Sequence, residues 1–179
     1  VLGTRLPGCF NVFEMSVRAV LGQQITVKAA STLAARLVAV YGTQVQTGIE
    51  GLTHSFPAPA AILALGENIS EHLGKLGIIS ARANTIYQLA RVLADEKNDF
   101  GFCGNPEEEM QKLQAIRGIG SWTAQYIAMR AMGWPDAFLP TDAGIKKALP
   151  DHTPKELQVL SEAWRPWRSY ATVNLWSTL

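Results

Sequence analysis

Asp142 is the carboxylate whose surroundings in the sequence are best suited to chemistry. It follows Phe138, Leu139, Pro140 and Thr141 and so lies in an apolar neighbourhood, away from any run of charged residues. Thr141 is a suitable helix N-cap, so Asp142 is predicted to lie in the first turn of a helix, where the helix dipole favours its ionised form. An ionised carboxylate there could stabilise positive charge or activate water. The alternative, an acid that only stabilises its own helix, remains open.

A second stretch with informative spacing is the segment 113–126, LQAIRGIGSWTAQY. One helical pattern ends at Gly118 to Gly120, and another begins at once with Ser121. Two glycines permit a tight turn with positive φ and the close approach of another backbone. The first N–H groups of the following helix favour an anion such as phosphate. The same spacing also fits an αα-hairpin that needs glycine only to turn, so the pattern alone does not decide.

The histidines and cysteines do not form a recognisable site. His54, His72 and His152 have no nearby partner that would indicate a catalytic triad or a metal site. Cys9 and Cys103 are far apart, which excludes a four-cysteine iron–sulfur site or a zinc finger within this chain. We expect both to be buried free thiols.

The tryptophans admit two interpretations. Trp164, Trp167 and Trp176 recur roughly at helical spacing, and packing in a core explains most such patterns. An aromatic pocket for a flat, electron-poor ligand is the alternative.

Composition indicates a globular chain without a membrane segment. The 179 residues are 47% hydrophobic and 17% charged, with no run of 18 apolar residues and no visible signal peptide. The net charge is +1, which gives no case for nucleic acid by itself. Residues 1–110 carry 8 basic and 10 acidic side chains, net −2, whereas 111–179 carry 8 and 5, net +3. A polyanion would therefore prefer the second part. We expect the chain to be a fragment of a longer protein.

The hydrophobic periodicity predicts an all-α fold, because no segment of four to eight residues alternates as a strand does. The predicted helix boundaries are an N-cap at Asn11, an N-cap at Thr26, an end at Gly42, short helices at 60–65 and 70–75, an N-cap at Ser80, a start at Asn105-Pro106, a helix from Ser121 to about Met132, a capping box at Thr153 with Glu156, and a last helix opened by Pro166. Residues 43–59 and 98–104 are predicted loops.

These helices are expected to form two lobes with a cleft between them. Gly133-Trp134-Pro135-Asp136 is a natural break. We expect one helical lobe at 12–134, carrying the segment 106–133, and a second lobe formed by 1–11 with 135–179, carrying Asp142.

The sequence resembles the helix-hairpin-helix (HhH-GPD) DNA glycosylase superfamily, most closely its bacterial DNA-3-methyladenine glycosylase II (AlkA-type) branch. The resemblance spans nearly the whole chain, without the β-sheet lobe that precedes this region in the family. The matching pieces are LPGCFNVFEMSVRAVLGQQITV at 6–27, FPAPAAIL at 56–63, LGKLGIISARANTI at 73–86, LQAIRGIGSWTAQYIAMRAMG at 113–133, FLPTDAGIKKAL at 138–149 and WRPWRSYATVNLW at 164–176.

The resemblance implies roles for single residues. Asp142 occupies the position of the catalytic aspartate, because it closes the LPTD segment. Trp122, Tyr126 and Trp176 correspond to the aromatic walls of the base pocket. Where close relatives carry a second acid just before the catalytic one, this chain has Thr141, so Asp142 would act alone.

The resemblance also implies a set of residues that contact DNA. N–H groups near Gly118 and Gly120 would hold a phosphate, with a contribution from the Thr123 hydroxyl. Gln24 stands where the AlkA-type pattern has an apolar wedge that fills the gap left by a flipped base. The backbone carbonyls implied to hold a structural Na⁺ or K⁺ ion are those of Gln114, Ile116 and Gly118.

One position distinguishes the subclasses. Bifunctional members of the superfamily place a nucleophilic lysine two residues after the second hairpin glycine, and here that residue is Trp122. The resemblance therefore implies a monofunctional enzyme that uses water, needs no cofactor for chemistry and has no iron–sulfur cluster. Its expected partner is double-stranded DNA with alkylated bases such as 3-methyladenine and 7-methylguanine. We expect a cytoplasmic, nucleoid-associated bacterial monomer.

A second reading belongs to a different functional class. In this alternative the chain is a non-catalytic helix-hairpin-helix module that binds DNA, as part of a fused regulator of alkylation repair. Such a module would keep the hairpin glycines but would not need Asp142 or the pocket tryptophans.

Overall fold

The computed structural model describes residues 3–95 and 105–179 and confirms the all-α prediction. The predicted 98–104 loop, with Cys103, lies outside the described residues. The α-helices in the described part of the chain are α1 Val12–Leu21, α2 Val27–Tyr41, α3 Pro59–Leu63, α4 Ile69–Gly74, α5 Ser80–Leu93, α6 Pro106–Gln114, α7 Ser121–Arg130, α8 Ala143–Ala148, α9 Pro154–Ser161 and α10 Arg168–Trp176. Short 3₁₀ helices span Gly66–Asn68 and Glu162–Trp164.

Several helix starts agree with the sequence, since their caps are local. The Asn11 side chain accepts from the Glu14 N–H at 2.8 Å, and Thr153 with Glu156 forms the predicted capping box. Glu156 is held at its helix start by hydrogen bonds from the Thr153 backbone and hydroxyl, which lower the pKa of that carboxyl. Each such cap stabilises its helix by about 1 kcal/mol.

Four local predictions need correction. Ser80 is the first residue of α5 and Ile79 is its N-cap, without a side-chain hydrogen bond. Pro166 precedes α10 by two residues and does not open it. Cys9 is only partly buried. The loop 43–59 contains a minimal antiparallel pair, β1 Thr43–Gln44 with β2 His54–Ser55.

The described residues group into two compact units, each with its own core. The N-terminal unit comprises 11–95 and 116–118, and α5 packs there against α1, α3 and α4. The C-terminal unit comprises 3–10, 105–115 and 119–179, where α6 packs against α7 and α8 against α10. Its central cluster contains Met129, Ala137, Phe138, Leu139, Ile145 and Leu157. The expected division at residues 12–134 stays a prediction.

No helix among the described residues is both long and apolar enough to cross a bilayer.

Candidate active site

Asp142 is the N-cap of α8. Its backbone is extended, and its Oδ1 atom accepts from the N–H groups of Gly144 at 2.9 Å and Ile145 at 3.1 Å. The prediction that Thr141 caps this helix and that Asp142 lies in its first turn is therefore wrong by one residue. Both residue types are good caps, and the Asp142 carboxylate is the group that reaches two N–H groups at once. The carboxylate is thus fixed by the start of its own helix.

Two indole rings from distant parts of the chain also donate to this carboxylate. Trp176 of α10 donates from Nε1 to Oδ1 at 2.8 Å, across 34 residues of sequence. Trp122 of α7 donates from Nε1 to Oδ2 at 3.1 Å, across 20 residues. The C-terminal unit therefore brings Asp142 together with two of the three aromatic residues that the resemblance assigns to the base pocket.

The two oxygens of Asp142 have different surroundings. Among the residues that the structure describes, Oδ1 accepts three N–H donors, from Gly144, Ile145 and Trp176, whereas Oδ2 accepts only the Trp122 indole. An ionised carboxylate oxygen only accepts hydrogen bonds and has about two lone pairs. Oδ1 is therefore saturated by the protein. Oδ2 is the oxygen with capacity left for a water molecule or for a developing positive charge.

The aromatic residues beside Asp142 contact one another. Trp122 and Tyr126 are stacked, with ring centroids 5.2 Å apart and planes inclined by 7°. Tyr126 also lies 6.4 Å from Trp176, centroid to centroid, at 48°. Arg130, one further turn along α7, places its guanidinium carbon over the Tyr126 ring, 5.8 Å from the centroid. The sequence gives no reason to single out Arg130, which adds a positive charge against these aromatic rings.

Gly144 makes the approach of Trp176 possible. A Cβ atom at this position would lie 2.7 Å and 2.8 Å from the Cδ1 and Nε1 atoms of the Trp176 indole. Those distances are shorter than any ordinary contact, so a side chain at residue 144 would displace the ring. The sequence alone gave no signal for this glycine, because the ring that requires it comes from α10.

We therefore expect Gly144→Ala to break the Trp176 hydrogen bond to Asp142 while α8 still forms, since alanine is a good helix former. Loss of one hydrogen bond to a charged group is worth about 1.5–3 kcal/mol, or roughly 10–150-fold in the rate of any reaction that depends on this carboxylate. Steady-state kinetics on the substrate proposed below would measure it. Gly74→Ala, at the end of α4, is the matched control, because this glycine is exposed, a Cβ atom there meets nothing within 4 Å, and the residue lies outside the candidate site. Equal rates for Gly144→Ala and the wild-type protein would show that the Trp176 hydrogen bond is dispensable.

Further contacts fix the segment that leads to Asp142. The Gln125 side chain on α7 accepts from the Phe138 N–H at 3.2 Å. Arg168, at the start of α10, forms two hydrogen bonds of 2.7 Å and 2.9 Å with the carboxylate of Asp136. The Ser169 hydroxyl donates to the carbonyls at 134 and 137 at 2.7 Å and 3.2 Å. The helices that carry Trp122 and Trp176 therefore also hold the approach to Asp142.

The two hairpin glycines differ in conformation. Gly118 has a φ of +96°, and a Cβ atom there would overlap the Thr85 side chain. Gly120 has a φ of −87° and is the N-cap of α7, which has no side-chain cap. The tight turn that the two glycines permit therefore uses a positive φ at Gly118 and not at Gly120. As the N-cap of α7, Gly120 brings no side chain of its own to the first N–H groups of the helix.

The other residues predicted to contact DNA differ in accessibility. Thr123 is only 2% exposed, so its hydroxyl is not presented to solvent as the phosphate contact would require. Ser121, the first residue of α7, is exposed instead. Gln24 is also exposed and has a φ of 54°, the one positive φ outside glycine in the described ranges. Its neighbour Gln23, which the sequence did not distinguish, donates from Nε2 to the Gly118 carbonyl at 3.0 Å.

The predicted cation ligands have a compatible donor chemistry. Backbone carbonyl oxygens are the ligands that alkali ions accept in proteins. The Gly118 carbonyl already accepts from Gln23, but a carbonyl oxygen has two lone pairs and one remains. An ion held by Gln114, Ile116 and Gly118 stays a prediction.

Comparisons with known proteins agree with this architecture. Residues 17–168 match the model of a family described as HhH-GPD superfamily base excision DNA repair protein. The chain is 38% identical to DNA-3-methyladenine glycosylase 2 of Escherichia coli over 98% of this chain and 61% of that protein. It is 42% identical to a probable bifunctional transcriptional activator/DNA repair enzyme AlkA of Mycobacterium tuberculosis, over 99% of this chain and 35% of that protein.

A solved structure supports the same assignment. The 3-methyladenine DNA glycosylase of Archaeoglobus fulgidus superimposes with a TM-score of 0.80 at 25% identity, over 95% of this chain and 58% of that one. The chain thus spans about three fifths of the length of the Escherichia coli and Archaeoglobus fulgidus proteins. Because the family model covers most of the chain, this protein belongs to the HhH-GPD superfamily of base excision DNA repair proteins.

Proposed function

We propose that this chain is a monofunctional DNA glycosylase that hydrolyses the N-glycosidic bond of alkylated purines, such as 3-methyladenine and 7-methylguanine, in duplex DNA. The names of the Escherichia coli and Archaeoglobus fulgidus relatives support the substrate class. The position of Trp122, where a lysine would be needed to form a Schiff base, supports hydrolysis by water.

The observation that carries the proposal is the pair of indole N–H groups on Asp142. An N-cap needs only the two hydrogen bonds from Gly144 and Ile145. The bonds from Trp122 and Trp176 add nothing to the cap, yet they orient both carboxylate oxygens among aromatic side chains. A module that only binds DNA has no use for this arrangement, which favours the enzyme over the non-catalytic alternative.

One carboxylate suffices for this reaction because of the leaving group. Glycosidases usually need a second carboxyl group to protonate the leaving group. A purine alkylated at N3 or N7 already carries a positive charge and departs without that proton. Oδ2 of Asp142 would then stabilise the oxocarbenium-like sugar or orient the attacking water. Trp122, Tyr126 and Trp176 would favour electron-deficient bases by cation–π attraction, worth about 0.5–2 kcal/mol.

The DNA contacts of the proposal lie at the hairpin and at the corner before α2. The uncapped start of α7 at Gly120 offers N–H groups to a phosphate, and the carbonyl-bound cation would contribute to the same grip. Gln24 would fill the gap left by the flipped nucleotide. Flipping costs a few kcal/mol, less for a damaged base, and bending costs about 1–6 kcal/mol. Phosphate contacts, which do not read sequence, must offset both.

The test is base release from methylated duplex DNA by the chain as it stands. We expect free 3-methyladenine or 7-methylguanine in the supernatant by chromatography. The DNA strand should stay intact until alkali cleaves the abasic site. Borohydride added during the reaction should trap no covalent protein–DNA adduct, because no lysine is available at residue 122.

Two outcomes would contradict the proposal. Binding of methylated duplex without base release would leave the non-catalytic DNA-binding module as the function. Base release accompanied by a borohydride-trapped adduct would show that an amine of the protein attacks the sugar, and the monofunctional assignment would then be wrong.

A further inference from the structure

The corner between α1 and α2 holds a residue in an unfavourable conformation. Gln24 has a φ of 54° and is exposed to solvent. Residues other than glycine seldom adopt this left-handed region, and the surrounding structure must enforce it. The corner is therefore a shape that the rest of the N-terminal unit holds in place.

Gln23 is tied at both its side chain and its backbone. Its Nε2 atom donates to the Gly118 carbonyl at 3.0 Å, across 95 residues of sequence. Its own carbonyl accepts a hydrogen bond from the Arg82 guanidinium on α5. The residue next to Gln24 is therefore joined directly to the hairpin turn and to α5.

The hairpin turn is held by the same helix. The Thr85 hydroxyl lies 3.0 Å from the Arg117 carbonyl and 3.0 Å from the Ala81 carbonyl of its own helix, so its one proton is shared between them, and Thr85 is only 4% exposed. Thr85 lies one turn after Arg82 on α5, so a single helix holds both the corner and the turn. Gly118 has no Cβ atom, which is why its backbone can lie against Thr85.

We propose that Gln23 is a positioning residue that fixes the Gln24 side chain relative to the hairpin turn, so that insertion of Gln24 into the duplex and the grip on a phosphate occur as one event. This inference rests on the proposed function. A side chain entering the base stack and a contact to the DNA backbone must match the fixed spacing of the duplex. If the inserted side chain is displaced by about 1 Å from the required position, much of its contribution to binding can be lost. In this proposal, the Gln23 amide fixes the distance between Gln24 and the hairpin turn, and the Gln24 side chain fills the gap left by the flipped nucleotide.

The test uses a duplex in which no bond can be cleaved. It contains a tetrahydrofuran abasic analogue with 2-aminopurine beside it, so that fluorescence reports unstacking and titration reports affinity. Gln23→Met keeps the length of the side chain but removes its donor. We expect Gln23→Met to lower the affinity for this duplex about 5-fold more than the affinity for undamaged duplex, as the loss of one neutral hydrogen bond implies. The 2-aminopurine fluorescence should fall as well, because fewer bases are unstacked.

A double-mutant comparison separates positioning from general stability. In a Gln24→Ala background, Gln23→Met should cause no further loss, because no inserted side chain remains to be positioned. Gln111→Met, on an exposed glutamine of α6, is the matched control and should behave as wild type. If Gln23→Met fails to fold, Gln23→Ala replaces it, since alanine also has no side-chain donor for the Gly118 carbonyl and adds no charge; the same 5-fold loss is expected.

Three results would overturn the inference. The first is a further loss of affinity when Gln23→Met is added to Gln24→Ala. The second is an equal loss of affinity for undamaged and abasic duplexes, and the third is wild-type behaviour of Gln23→Met. A wild-type chain that neither binds nor unstacks the abasic duplex would instead overturn the proposed function, which distinguishes the two failures.

Discussion

Replacement of Asp142 by asparagine is expected to lower the rate of base release by about 10²–10⁴-fold while the chain still folds and binds DNA. The asparagine oxygen would take the place of Oδ1, because three N–H groups converge there. Its NH₂ group would then face the Trp122 Nε1–H, so that two donors meet. The negative charge opposite the sugar would be lost. Asparagine caps helices as well as aspartate, so α8 should persist.

Single-turnover release of methylated bases measures the effect, with duplex affinity measured in parallel. Asp151→Asn changes an exposed aspartate near the start of α9 and should leave the rate within about twofold. Full activity in Asp142→Asn would assign the chemistry to another group. A parallel loss of affinity and activity would mean that the substitution had disturbed the fold.

Replacement of Arg168 by methionine is expected to lower the free energy of unfolding by about 3 kcal/mol. Arg168 and Asp136 are only 5% and 6% exposed, and the guanidinium contacts both carboxylate oxygens. Removing one member of a buried ion pair leaves the other charge without compensation. Asp136 would retain only Arg165, whose side chain is 49% exposed. Urea denaturation followed by circular dichroism measures the change.

Arg165→Met is the matched control, since it removes the exposed partner of the same carboxylate and should cost much less than Arg168→Met. The hydrogen bond from Arg165 lowers the pKa of Glu162, so the stability that this pair contributes is present above the unfolded-state pKa and is lost as the pH falls. Both variants should therefore be compared at neutral pH. Equal costs for the two substitutions would contradict the view that burial sets the value of the Arg168 contact.

Local features of the fold could be predicted from the sequence, because short-range hydrogen bonds determine them. Asn11 and Thr153 cap their helices as expected. The start of α8 was misplaced since Thr141 and Asp142 are both good caps, and the choice depends on which side chain reaches the N–H groups. The pair of β1 and β2 is two residues long in each strand, too short to show alternation.

The candidate site was predictable to a lesser extent, because it is built from contacts between distant residues. Asp142 is indicated by its own surroundings, but its pairing with Trp176 comes only from a resemblance, because their separation of 34 residues leaves no local pattern. Gly144 was missed because the ring that needs the space belongs to α10. Gln23 was missed because its partner lies 95 residues away, and Thr123 was misjudged because the sequence does not show which face of α7 is buried.

The three hydrogen bonds on one oxygen of Asp142 restrict the rotation of this side chain. Rotation about the Cβ–Cγ bond would exchange the two oxygens only by breaking the contacts of Gly144, Ile145 and Trp176 together. The carboxylate therefore cannot rotate freely. Its rotational entropy is lost once, when the chain folds. A group oriented in this way needs little reorganisation when charge develops opposite it. In the proposed reaction, folding would therefore supply the orientation of Asp142 before any substrate binds.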